Sequence, residues 1–184
     1  GKAQLRIKIN LKLHQLTSLL FLLLVCVLAF GPTSPYSLSL RPYLTFILLF
    51  SFVGLVVKES LYNRQLLARY FWLIDLLDVA TASFIYYLGF FSVNYLIVLY
   101  FFLIFLSIRE FISGETCYVT LLSLVGYGIN AALLWPNYRL LAHVYGPGPA
   151  VYGFFIGTGF FCLVLVGVFT YFYAKSDYEL ARHL

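Results

Sequence analysis

Asp75 and Asp78 stand three residues apart inside the apolar stretch Trp72-Leu73-Ile74-Asp75-Leu76-Leu77-Asp78-Val79. On a helix that spacing puts both carboxyl groups on one face. Counting from the Arg69 boundary at ~1.5 Å per residue, they lie about 9 Å and 14 Å into the stretch. A carboxylate at such depth in a membrane costs roughly 2.5–3.5 kcal/mol on insertion scales, so it faces protein or water and takes a partner. The chemistry open to the pair is that of a proton or cation site, or of a polar switch whose partners change with state. The structural alternative is a pair that hydrogen-bonds neighbouring helices or reaches back toward Arg64 and Arg69. No lysine or arginine falls within the apolar stretches, so the sequence offers the aspartates no counter-charge at their own depth.

Asn130, in Gly126-Tyr127-Gly128-Ile129-Asn130, is the other candidate polar switch point. It lies toward the opposite side from the aspartates and is expected to act as interhelical glue, worth about 0.6 kcal/mol. Gly153 and Gly157 form a GxxxG match that would let the last helix approach a neighbour or a dimer mate closely. His14, His143 and His183 lie at or beyond the ends of the apolar stretches, where they cannot face one another across helices to hold a haem. Cys26, Cys117 and Cys162 have no metal-ligand spacing. Nucleophile-elbow, zinc-helix and phosphate-loop patterns are absent. The sequence thus predicts no catalysis, no metal and no cofactor for this chain.

The elements that must position these residues are six apolar runs, at about 13–30, 43–57, 70–88, 93–108, 116–135 and 151–174. Most approach the ~20 residues that cross ~30 Å of hydrocarbon. The chain is 62% hydrophobic and 10% charged, far below the roughly one quarter charged that soluble domains carry. Its cations sort by the gaps between runs. One alternate set holds Lys2, Arg6, Lys8, Lys12, Lys58, Arg64, Arg69, Arg109, Lys175 and Arg182, and the other holds Arg41 and Arg139. Such a bias places both termini in the cytoplasm, with Arg64, Arg69 and Arg109 as topology anchors. The net charge of +5 is a topology signal that also suits anionic lipid heads, and it implies no nucleic-acid partner. The fold class expected is an all-α membrane protein, a single domain of six transmembrane helices over residues 1–184.

Along the chain, residues 5–14 alternate apolar and polar and are expected to form an interfacial helix rather than a strand with unpaired edges. Gly31 to Pro35 breaks the chain on the outer side, and Pro42 opens the second helix. Lys58 to Arg69 reads as a cytoplasmic loop, Gly89 to Asn94 as a tight outer turn, and Pro136 to Pro149 as the longest outer loop. From Val168 onward no glycine or proline interrupts the last run, so one helix is expected to leave the membrane and continue into the cytoplasm. Its periodic pattern is still running at Leu184, which implies a following output domain.

Several of these features resemble a known family. A basic lead-in precedes the first run, Arg64-Gln65-Leu66-Leu67 precedes the third, Asp78-Val79 lies within it, and the sixth helix runs straight on. The pattern is similar to the six-helix amino-terminal sensor domains of bacterial two-component histidine kinases, in particular the type that senses type IV pilin. The outer turn Gly89-Phe90-Phe91 departs from that family's run of glycines, and the last outer loop has its own Gly-Pro repeat. The resemblance implies a homodimeric sensory input domain in the bacterial inner membrane, relaying a signal through the sixth helix to a histidine kinase. A diguanylate cyclase is the other output such an input domain could drive. The expected partners are lipids, a second copy, and a membrane protein or lipophilic ligand as stimulus. A small proton- or cation-coupled transporter centred on Asp75 and Asp78 is the alternative, and a non-catalytic subunit of a membrane complex is a third.

Overall fold

The computed structural model of the chain describes residues 12–13, 15–23, 41–64, 69–89, 96–107, 113–136, 139 and 148–183. Among these residues all regular structure is helical and no strand occurs. In chain order the helices are α1 (15–23), α2 (Arg41–Asn63), α3 (Phe71–Gly89), α4 (Val98–Leu106), α5 (Ser113–Leu134) and α6 (Pro149–His183). Most of the lead-in at 5–14, the breaker cluster at 31–35, the turn at 90–94, Cys26, Arg109, His14 and His143 lie outside the described residues. So does most of the outer loop at 136–149, including Gly146-Pro147.

The chain forms two compact units, Gly1–Ser92 and Val93–Leu184. In the first, α2 and α3 pack together. Phe50 meets the Phe84 ring edge-on at 6.3 Å and Lys58 meets Asp78, so ascending positions on α2 pair with descending positions on α3. The helices therefore run antiparallel. The interior of this unit mixes polar and apolar side chains, with Thr17, Ser18, Ser51, Lys58, Asp75, Asp78 and Thr81 buried beside Phe21, Ile47, Ile74, Val79 and Ile85, whereas Leu16, Phe46, Leu49, Val53 and Phe84 are exposed. Several hydroxyls satisfy themselves on their own helix. Thr17 donates to the Leu13 carbonyl, Thr81 to Leu77 and Ser83 to Val79, each at 2.8 Å and four residues back.

In the second unit α4, α5 and α6 all pack on one another. Ser107 donates to the Thr116 hydroxyl at 3.0 Å, joining the end of α4 to the start of α5. Leu99, Tyr100, Leu103 and Ile104 of α4 are buried, together with Val119, Tyr127 and Leu134 of α5 and Tyr152, Ile156 and Leu163 of α6. Spacings of three or four, seven and eight residues within these sets mark a buried stripe on each helix. α6 begins abruptly because Gly148 takes a φ of +106°, which a side chain resists, and Pro149 then supplies a preset first residue.

Glycine fixes how closely α5 and α6 approach, but not the glycines the GxxxG spacing singles out. Gly153 and Gly157 face outward, and within this unit nothing lies within 4 Å of a Cβ built at either. The close contacts are instead at Gly159 and Gly167, where a Cβ would overlap Tyr127 and Thr120, and at Gly128, where it would stand 3.3 Å from Phe160. The motif spacing is met, but helix rotation turns it away from α5. Descending partners, Thr120 with Gly167 and Tyr127 with Gly159, make these two helices antiparallel as well.

The helix bounds differ from the apolar runs at two places. α2 continues through Asn63, so Lys58 is helical rather than part of a loop. Among the described residues the fourth run gives nine residues of α-helix, led in by a turn in which Leu99 and Tyr100 donate backbone bonds to Leu96 and Ile97. Residues 96–107 thus cover about 18 Å at ~1.5 Å per residue, short of a bilayer core. Among the described residues two helices, α5 over Gly114–Leu134 and α6 over Pro149–Asp177, are long and apolar enough to cross a membrane.

The glycine contacts give a paired expectation. Gly159→Ala drives a methyl group into Tyr127 and should destabilise the fold by about 1–3 kcal/mol, the usual cost of overpacking. Gly153→Ala meets nothing in the unit and should stabilise α6 by about 0.5–1 kcal/mol. Equilibrium unfolding of both variants in detergent micelles checks the contrast.

Candidate functional site

The candidate site is a buried ion pair in the first unit. On α2, Ile47, Ser51, Gly54 and Lys58 recur at helical spacing and form the stripe that faces α3; three of them are fully buried. No proline follows Pro42 before Asn63, so nothing stops the helix at the end of its apolar run and Lys58 is carried onto that same stripe. α3 presents Ile74, Asp75, Asp78, Val79, Thr81 and Ala82, all buried. α1 contributes Thr17, Ser18 and Phe21.

These stripes meet at the Lys58 ammonium, which is 1% exposed. Its Nζ donates to Asp78 Oδ1 at 2.7 Å and to Ser18 Oγ at 2.9 Å. One cation therefore ties α1, α2 and α3 together. Asp75, a turn before Asp78, is buried on the same helix. The expectation that the aspartates lack a counter-charge is corrected: Lys58 is at hand, and its four-carbon stem lets the charge reach Asp78 from a neighbouring helix. The expected reach of the carboxylates toward Arg64 and Arg69 is corrected for Asp78 in the same way. Both arginines are exposed; Arg64 donates its backbone N–H to Ser60 at 3.1 Å, and the Arg69 guanidinium lies 5.9 Å from the Tyr70 ring centre.

Asn130 belongs to the second unit. It is buried and donates Nδ2 to the Tyr100 hydroxyl at 3.3 Å, tying α5 to α4. Tyr100 in turn meets Tyr127 edge-on at 6.3 Å, and Tyr127 meets Phe160 at 4.9 Å. The Tyr127 hydroxyl donates to the Ile156 carbonyl at 3.3 Å, and Tyr152 donates to Ala131 at 2.9 Å. These polar side chains act as joints between helices.

Comparison with family models, with curated proteins and with solved structures finds no match. The chemistry is therefore that of the geometry alone. Among the described residues no three His, Cys, Asp or Glu side chains gather to hold a metal. Cys117 is exposed and Cys162 half-buried, and both are free thiols. What remains is an ammonium and a carboxylate in contact, sheltered from solvent, with a second carboxyl group one turn away. Such a cluster can lock helices together, exchange partners, or pass an ion.

Lys58, Ser18 and Ser51 are absent from the site as read by sequence. The signal for Lys58 was available in its spacing, seven residues after Ser51 with no intervening proline, which is two helical turns on one face. Glu115 is likewise absent from that reading; it is buried in the first turn of α5, where the helix dipole favours an acidic side chain.

Breaking one half of a buried pair leaves the other charge uncompensated. Lys58→Met should therefore destabilise the fold by about 3–5 kcal/mol, and the double variant Lys58→Met with Asp78→Leu by much less. A double-mutant cycle of unfolding free energies in micelles measures the coupling, and additive single costs would show that the pair does not interact. Asn130→Ala, acting on a neutral hydrogen bond, should cost about 0.6 kcal/mol.

Proposed function

We propose that the chain is a transmembrane sensory input domain of a bacterial signalling protein. It sits in the inner membrane as a homodimer with cytoplasmic ends and relays a signal through α6 to a cytoplasmic output domain. The observation that carries this reading is α6, an unbroken helix of 35 residues. At ~1.5 Å per residue it extends about 52 Å, well beyond the ~30 Å of a bilayer core. Its apolar portion ends near Asp177, and Lys175, Ser176, Asp177 and Glu179 are exposed on the continuation. A rigid rod that begins among the packed helices and emerges into water can convert a shift in packing into rotation or displacement.

Further crossings by α2 and α3 are supported by their lengths. α2 and α3, at 23 and 19 residues, extend about 34 and 28 Å. The first unit buries charged and hydroxyl groups while leaving many large apolar side chains exposed, which suits a lipid surround. The resemblance to histidine-kinase sensor domains supplies the output class, a histidine kinase. A stimulus must bind two packings unequally, with about 1.4 kcal/mol for each tenfold change in population. Asp78 and Lys58 are the switch point best placed for that, since their contact spans three helices.

The ion pair also favours a second reading, a small proton- or cation-coupled transporter. An ammonium beside a carboxylate is a group that an incoming ion can displace. Ion flux in proteoliposomes that disappears in Asp78→Asn would support this reading, and absence of flux through the intact chain removes it.

The signalling reading has its own test. With residues 1–184 fused to a reporter kinase, insertion of one to four alanines after Asp177 should make output rise and fall with a period of about 3.6 residues. Output indifferent to helix register would sink the relay.

A further inference from the structure

We propose that the first unit holds one ordered water molecule in a small cavity beside the ion pair, bound by Ser51 and by the Asp78 carboxylate. The cavity offers about 10 Å³ to the centre of a water molecule and is lined by Ser18, Ser51, Gly54, Asp78 and Thr81 among others. That is close to the smallest space that admits one water, which also needs two to four polar partners. A larger hydroxylic molecule does not fit.

The hydrogen-bonding inventory around the cavity is complementary to water. Ser51 Oγ is buried and has no hydrogen-bond partner among the described residues. Ser18 Oγ accepts from Lys58, which leaves its own proton to donate. Thr81 donates to the Leu77 carbonyl, so its oxygen presents lone pairs. An ionised carboxylate accepts at several positions beyond the one used by Lys58. A single water would accept from Ser51 and Ser18 and donate to Asp78 and Thr81. No ion suits the place as well: the neighbouring ammonium repels a cation and the carboxylate repels an anion. A neutral molecule with two donors and two acceptors satisfies every group.

Two substitutions in the 184-residue chain test this by the sign of their effect. Ser51→Ala removes an orphaned hydroxyl if the cavity is dry, which leaves stability unchanged or raises it. If water is bound there, the variant should melt about 2–4 °C lower in micelles. Gly54→Ala places a methyl group where no protein atom lies within 4 Å. Any cost it carries comes from what else fills that space. Displacement of the water should lower the melting temperature despite the helix preference for alanine, and the double variant should fall short of the summed losses because both changes remove one water. A Ser51→Ala chain as stable as the parent, a Gly54→Ala chain more stable than it, or a high-resolution diffraction map showing the cavity empty would each overturn the proposal.

Discussion

The first unit depends on taking one ammonium out of water and holding it against one carboxylate. Moving either charge alone into a low-dielectric interior costs several kcal/mol even after relaxation, and their attraction offsets that only when geometry is good and further hydrogen bonds are made. The 2.7 Å contact to Asp78 and the 2.9 Å bond to Ser18 meet both conditions. The constraint then spreads outward. α2 must continue past its apolar run to carry Lys58 to the site, α3 must turn its Asp75–Asp78 face inward, and α1 must lie close enough for Ser18 to accept. A helix rotated by a quarter turn would strand a charge.

The helix joints described in the second unit are neutral ones. Its helices are joined by neutral hydroxyls and by aromatic rings that meet edge to face, and glycine sets their separation at Gly159 and Gly167. Tyr127 does three jobs with one side chain: it fills the notch at Gly159, packs on Phe160, and bonds the Ile156 carbonyl. Such joints are individually weak. They lock helix against helix through shape rather than through one decisive interaction.

Helix type and position were largely legible in the sequence because apolar length is a strong signal. The run at 70–88 and α3 differ by one residue at each end, and the sixth run and α6 agree on a helix that continues past its apolar part. The site was half legible. Asp75 and Asp78 stood out because carboxylates are rare in apolar runs, but Lys58 was hidden by a boundary drawn where hydrophobicity ends. A long amphiphilic side chain can belong to a polar segment by composition and to the interior by reach. Gly153 and Gly157 misled for a different reason. Spacing says that two glycines share a face, and rotation decides which neighbour that face meets; only the facing ring of Tyr127 makes Gly159 the close contact.

An ion pair is also a poor adhesive for its expense, since well-packed apolar residues of similar volume are often as stabilising. What it supplies in exchange is discreteness. Apolar contacts slide by small steps at small cost, whereas a buried charge tolerates few positions, each requiring a full set of partners. Around Lys58 those partners include Asp78 and Ser18, and Asp75 is buried one turn earlier on the same helix. A helix pair joined in this way is held to its register more sharply than apolar packing alone would hold it, because Lys58 has few positions from which it reaches Asp78 and Ser18 together.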